Sequence, residues 1–306
     1  MKKTFIKTLV KLAETDKNIY LLTGDIGFGL LEEFADKFPE RFINCGIAEQ
    51  NMIGVAAGLA LNGKKVYVYS IVPFVTLRCL EQIKNDLCFQ NLDVKIVGVG
   101  AGFCYGPQGT THHAIEDIGV LRSLPNITIL SPADPTETEK LILESYKIKS
   151  PAYIRLDGTN KKIYDSDPNI IIGKPSILKE GKDGVMIATG VYSEIGMNIS
   201  KKLEQNGYNL KLISMHTIKP INAPMLLKEI RGQKLIFTLE EHNVVGGLGS
   251  AVGEVLLANN VNNIMFKSFG VNDKYPEITG GQDYLRSYCH IDEKSIYDKI
   301  VSYFGK

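Results

Sequence analysis

Short runs rich in β-branched residues alternate along this chain with longer segments whose apolar residues recur every three or four positions. Residues 19–22, 42–45, 66–70, 94–99, 127–130 and 152–156 read as strands. Residues 4–13, 30–38, 48–62, 75–87 and 135–146 read as the helices around them, with Gly63 placed as an αL cap after the third. Strands that are apolar on both faces and alternate with helices predict a parallel sheet covered on both sides. The pattern then weakens through Asp165-Ser166-Asp167-Pro168-Asn169, and this polar stretch predicts a linker over 161–183. A second alternation follows, with strands over 185–188, 210–214, 235–239 and 264–269 and helices over 194–204, 223–231 and 249–259. The expected fold class is α/β, as two tandem open α/β sandwiches over 1–160 and 184–306.

The 306-residue length suits two domains of ordinary size. Charge excludes some partners: 35 Lys and Arg against 34 Asp and Glu give a net +1, with no electrostatic basis for nucleic acid or an anionic membrane surface. No apolar run approaches the ~18 residues of a membrane span. Met1-Lys2-Lys3-Thr4-Phe5 opens an amphipathic stretch and not a signal peptide. The five cysteines contain no CxxC and the five histidines no HExxH, so neither a disulfide framework nor a zinc site is indicated. Reduced thiols fit a cytoplasmic chain, the expected location.

The segment richest in chemistry is Asn44-Cys45-Gly46-Ile47-Ala48-Glu49-Gln50-Asn51-Met52, between an expected strand and a Gly/Ala-rich helix. Glu49 falls in the first helical turn at the carboxyl end of a parallel strand, where open α/β sheets bind ligands. An acid there also simply complements the helix dipole, and these residues alone leave both roles open.

Gly46-Ile47-Ala48-Glu49-Gln50-Asn51-Met52 resembles the glutamate motif of thiamine-diphosphate enzymes of the transketolase and 1-deoxyxylulose-5-phosphate synthase group. The neighbours agree in order and spacing. Thr23-Gly24-Asp25-Ile26-Gly27 lies upstream; Arg78-Cys79-Leu80-Glu81-Gln82-Ile83, Gly109-Thr110-Thr111-His112-His113, Ser131-Pro132-Ala133-Asp134 and Tyr153-Ile154-Arg155 lie downstream. The resemblance spans about residues 19–259, into Glu240-Glu241-His242 and Gly246-Gly247-Leu248-Gly249. It implies a pyrimidine-binding domain over 1–160 and a transketolase C-terminal-like domain over 184–306. The family's Gly-Asp-Gly motif and downstream Asn, which hold the diphosphate and Mg²⁺, have no counterpart here. The chain is therefore expected to be the C-terminal subunit of a split transketolase-like enzyme, moving a two-carbon ketol or acyl unit between sugar phosphates or related carbonyl substrates. Thiamine diphosphate is the implied cofactor, Mg²⁺ is expected on the partner, and an N-terminal subunit carrying the missing motif completes an α2β2 assembly.

The resemblance also implies roles residue by residue. Glu49 is the acid that bonds the aminopyrimidine and favours the imino tautomer able to take the thiazolium proton. Burial without a charged partner would raise its pKa and suit it to proton sharing. Asp25 and Phe74 join it in holding the cofactor, Phe74 by ring contact. Arg78 and Arg155, reaching from separate sheet edges, are to converge on an acceptor phosphate, which guanidinium forks fit. Read alone, each is equally a surface ion pair. His112 is expected to donate to the substrate oxygen and assist proton transfer, with His113 turned elsewhere. Glu81 stays open between substrate contact and helix surface. Three features depart from transketolase itself: Gln108 replaces an Asp, Gly100 stands where alignment gives a His, and the Ser that transketolase has near Gly29 is missing, which argues for a specialised substrate. The glycines at 246–249 lack phosphate-loop spacing and suit close helix–sheet contact, and His242 is expected to fill a buried polar site. Other readings of the same domain plan are the β chain of a 2-oxo-acid dehydrogenase first component and a non-catalytic scaffold.

Overall fold

The alternation is realised as two mostly parallel sheets in a computed structural model that describes residues 1–304. The first half runs α1 (Lys2–Thr15), β1 (Ile19–Thr23), α2 (Glu32–Lys37), β2 (Phe42–Asn44), α3 (Glu49–Leu61), β3 (Lys65–Ile71), α4 (Val72–Val75), α5 (Leu80–Gln82), β4 (Val94–Val99), α6 (Asp117–Arg122), β5 (Thr128–Leu130), α7 (Pro135–Tyr146) and β6 (Ala152–Leu156). The second runs β7 (Ser176–Lys179), β8 (Val185–Ala188), α8 (Tyr192–Gln205), β9 (Lys211–Ser214), β10 (Thr217–Lys219), α9 (Ala223–Ile230), β11 (Leu235–Asn243), α10 (Leu248–Ala258), β12 (Met265–Val271), α11 (Gln282–Tyr288) and α12 (Glu293–Phe304).

The seven-stranded sheet has the order β10-β5-β6-β4-β3-β1-β2, parallel except for β10. Its central strand β4 is buried along its whole length. Val94 and Ile96 face one apolar cluster with Met52, Ile53 and Val72, while Val97 and Val99 face another with Phe5, Leu9 and Leu141. That period-two division is why the strand reads as continuously apolar. The five-stranded sheet has the order β12-β11-β8-β9-β7, with β7 antiparallel at its edge. Among the described residues no helix is long and apolar enough to cross a membrane.

Four features depart from the sequence reading. The helix expected over 75–87 is broken: the chain leaves helical geometry after α4, turns through 76–79, and passes from α5 into a wide π-type turn over Ile83–Cys88. The stretch read as a linker over 161–183 contains β7, whose four residues are too few to show a period. β10, from the second half, adds to the first sheet, with Thr217 opposite Leu130. Chain halves and sheets therefore do not divide at the same place. Finally, α6, α11 and α12 lie where no helix was expected.

Candidate active site

The carboxyl ends of β1, β3 and β4 bring the first set of side chains together, as expected for an open parallel sheet. Glu49 is the first residue of α3 and only 2% exposed. Its Oε1 accepts from Ser70 Oγ of β3 at 3.2 Å, and its Oε2 from Arg78 Nη1 at 2.6 Å. The loop after β1 lies directly against this carboxylate, since a Cβ on Gly24 would meet Glu49 Cγ and Oε1 at 3.4 Å. Phe74 projects from α4, immediately after β3. The Arg78 guanidinium carbon sits 4.2 Å from its ring centroid, and the His112 ring meets it edge-on at 5.0 Å. The His112 Nδ1 lies 3.0 Å from Thr111 Oγ1. Glu49, Phe74, Arg78 and His112 thus form one continuous group.

One expectation about Glu49 is corrected by this geometry. It is not a buried acid without a charged partner: Arg78, expected on a substrate phosphate, is ion-paired with it. The broken helix is the reason, because the turn between α4 and α5 returns Arg78 over the ring of Phe74.

Arg155 lies apart from this group. β6 is an interior strand between β4 and β5, not a sheet edge, and Arg155 is 4% exposed. Its Nε donates to Asp117 Oδ2 at 2.8 Å, and its Nη2 donates to Ala114 O at 2.7 Å and Glu241 O at 3.1 Å. Burial opposes its charge, but the Asp117 carboxylate, together with Tyr153 and Glu241, holds the guanidinium above its ordinary pKa. Arg78 and Arg155 therefore do not converge here; each is committed to its own carboxylate.

Asp25 is exposed, in the left-handed region at φ 58°. Its Oδ1 accepts from Asn44 Nδ2 at 2.9 Å and its N–H donates to Asn44 Oδ1 at 3.1 Å. Asn44 Oδ1 also accepts from Gly46 N–H at 3.0 Å, so Asp25 steadies the approach to Glu49 through Asn44. His113 turns away from His112: its Nε2 lies 3.2 Å from Gly106 O, and burial pushes its pKa down. Glu81 stands exposed in the first turn of α5.

Among the described residues, the second half supplies no comparable group around its glycine-rich turn. The N–H groups of Leu248 and Gly249, which open α10, already donate to the buried Glu240 carboxylate at 2.6 and 2.8 Å. The glycine-rich turn therefore holds the protein's own anion. Burial pushes the Glu240 pKa up to about 7 against those two donors. His242 bridges the halves, with Nδ1 2.7 Å from Asn243 O and Nε2 accepting from Gly119 N–H at 3.2 Å.

Three neighbours were missed because no motif marks them. The Tyr105 ring stands edge-on to that of His112, with centroids 6.4 Å apart, and its hydroxyl accepts a hydrogen bond from Lys2 Nζ at 3.0 Å. Lys2, Lys3 and Tyr105 line a cavity of ≈ 470 Å³ beside the group, bounded also by Gly27, Gly29 and Tyr69. The only available signal was the pair of lysines opening the chain, which reads equally as an amphipathic surface. Tyr105 also explains one departure: a Cβ on Gly100 would lie 2.1 Å from its ring, so Tyr105 occupies the space a histidine at 100 would need.

Comparison with known proteins is consistent along the whole chain. Residues 1–162 match the model of the transketolase pyrimidine-binding domain, and residues 173–288 that of the transketolase C-terminal domain. A putative transketolase C-terminal section of Methanocaldococcus jannaschii is 36% identical, covering 100% of this chain and 96% of its own length. One subunit of an apulose-4-phosphate transketolase of Phocaeicola vulgatus is 38% identical over 100% of this chain and 97% of that one. Among solved structures, a split-gene transketolase described as an inactive β4 tetramer superposes with a TM-score of 0.88 at 34% identity, covering 98% of this chain and 96% of that one.

Proposed function

The chain belongs to the transketolase family, and from that premise we propose that it is the C-terminal subunit of a split, thiamine-diphosphate-dependent transketolase. The observation that carries the reading is Glu49: a buried carboxylate at the carboxyl edge of a parallel sheet, joined through Arg78 to the half-buried ring of Phe74, which the His112 imidazole meets edge-on. These residues fit the pyrimidine half of the cofactor. The carboxylate held by Ser70 would bond a ring nitrogen, and the Phe74 face would lie against the heteroaromatic ring. When bound, thiamine diphosphate supplies a thiazolium carbon acid able to carry a two-carbon unit between carbonyl compounds.

This chain's residues then have separable tasks. Glu49 would hold the ring and share a proton with it, Phe74 would set its plane, and His112 would donate to a substrate oxygen as charge develops. Asp25 supports the approach to Glu49 through Asn44. Arg78, the arginine at this site's surface, meets the substrate's anionic group; Arg155 acts behind it by holding Ala114, two residues past His112. Lys2 and Lys3 put positive charge on the wall of the adjoining cavity, suiting a phosphorylated sugar.

Among the described residues no cluster of His, Cys, Asp or Glu is suited to a metal. Mg²⁺ and the diphosphate would fall to a partner subunit bearing Gly-Asp-Gly and a downstream Asn, in an α2β2 enzyme. Support comes from relatives described as a transketolase subunit and as a C-terminal section, and from the split-gene transketolase described as an inactive β4 tetramer. Native pull-down with mass spectrometry tests the partner: the expected result is a stoichiometric chain carrying that motif. In the reconstituted pair, Glu49→Gln should leave assembly intact and reduce ketol transfer by at least about 100-fold. Unchanged turnover in that variant overturns the assignment of Glu49.

A further inference from the structure

The Arg78–Glu49 pair is unequal in a way that suggests a moving part. The Glu49 side chain is 2% exposed and held on its other oxygen by Ser70, whereas the Arg78 side chain is 42% exposed. Arg78 also stands on the turn between α4 and α5, beside exposed Leu77, so its side chain can leave without disturbing a helix or strand. Its guanidinium makes two contacts at once: it lies over the ring of Phe74 at 4.2 Å and bonds Glu49 at 2.6 Å. Those are the same two contacts, one stacked on an aromatic face and one to a carboxylate oxygen, that the reading above assigns to a flat, nitrogen-bearing ring. A guanidinium is itself planar, delocalised and rich in N–H donors, and it stacks on aromatic faces while binding carboxylates.

We propose that in the uncomplexed chain Arg78 is a built-in stand-in for the aminopyrimidine, occupying the slot between Phe74 and Glu49 until the cofactor expels it. This rests on the function proposed above and adds regulation of the same site. The physical gain is that Glu49 never stands buried and unpaired. A lone buried carboxylate is strongly unfavourable, and Arg78 satisfies it in the free subunit as the ring would in the assembled enzyme. The consequence is competition, because a cofactor that binds only the open form has its affinity reduced by the open fraction. An isolated subunit would resist loading, and Arg78 would become free at the mouth of the site only once the cofactor is seated.

The first test uses the lone chain. Glu49→Gln, Arg78→Ala and the double variant are compared by thermal unfolding, and the double variant should lose less Tm than the sum of the singles. Strict additivity means the pair does not form in solution and overturns the proposal. The second test titrates thiamine diphosphate with Mg²⁺ into the co-purified complex by calorimetry. Arg78→Ala should tighten binding about tenfold, the factor expected if the slot is open roughly a tenth of the time. Weaker or unchanged binding shows that Arg78 is a cofactor ligand or a bystander, and overturns the proposal. Phe74→Ala separates the two ideas: it should weaken binding whether or not Arg78 is a plug. If Phe74→Ala and Glu49→Gln both leave affinity unchanged, the siting of the cofactor fails, and the stand-in with it.

Discussion

Replacing Arg155 with Met tests whether this arginine is a substrate ligand or a structural tie. Its guanidinium satisfies the Asp117 carboxylate, which is 1% exposed, and two carbonyls, one of them from the other half of the chain. Arg155→Met leaves Asp117 with only the Tyr153 hydroxyl, at 2.6 Å, to offset a buried charge. Breaking a buried pair from one side costs about 3–5 kcal/mol. At roughly 2 °C per kcal/mol for a chain of this size, that corresponds to a Tm about 6–10 °C lower. Urea unfolding of the lone chain, followed by circular dichroism, measures the loss directly. Arg155→Met combined with Asp117→Asn should recover at least about 1 kcal/mol, because the neutral amide no longer strands a charge. A loss below about 1 kcal/mol, the value of an exposed ion pair, with no recovery in the double variant, would refute the reasoning. Arg155 would then reach solvent, as a phosphate ligand must.

The pH dependence of stability has a definite sign at Glu137. Burial pushes its pKa from 4.5 up to about 7, against hydrogen bonds from Tyr164, Ala133 and Ser214. The folded form therefore holds a proton that the unfolded form releases, and stability falls as pH rises from about 4.5 to about 7. That is on the order of 3 kcal/mol, and Glu137→Gln should flatten the slope in urea midpoints taken from pH 5 to 8. Gly102→Ala should destabilise by more than about 1 kcal/mol and loosen the junction between the halves, measurable as faster proteolysis. Gly102 has φ 59°, and a Cβ there would lie 2.5 Å from Glu241 Cδ. Cys79 should resist a thiol reagent at pH 8 until the chain is unfolded, because burial, aided by the Glu49 charge, pushes its pKa up to about 12.

Legibility in the sequence followed the range of the interaction. Strands β4, β6 and β8 and helix α7 were readable to the residue, because each is marked by a local apolar run or by a start signal such as Asp134-Pro135 before α7. The Asp134 side chain does accept from Glu137 N–H at that helix start. Edge strands β7 and β10 were not readable, since three or four residues define no period and their pairing is set by distant partners. The helix expected over 75–87 failed because an apolar pattern cannot distinguish one helix from two short ones around a turn.

The sequence by itself determined the parallel α/β plan, the setting of Glu49 at a helix start after a strand, and the placing of Phe74 just after β3 and of His112 in the loop beyond β4, at the same end of the sheet. These depend on periodicity and chain order, which act over a few residues. Only the tertiary structure decided what each charged group faces. Arg78 and Glu49 are 29 positions apart, and Arg155 and Glu241 are 86 apart. A long guanidinium side chain can reach several acceptors. Which one it takes depends on the nearest carboxylate after packing and on the dielectric around it, and neither is written in local spacing.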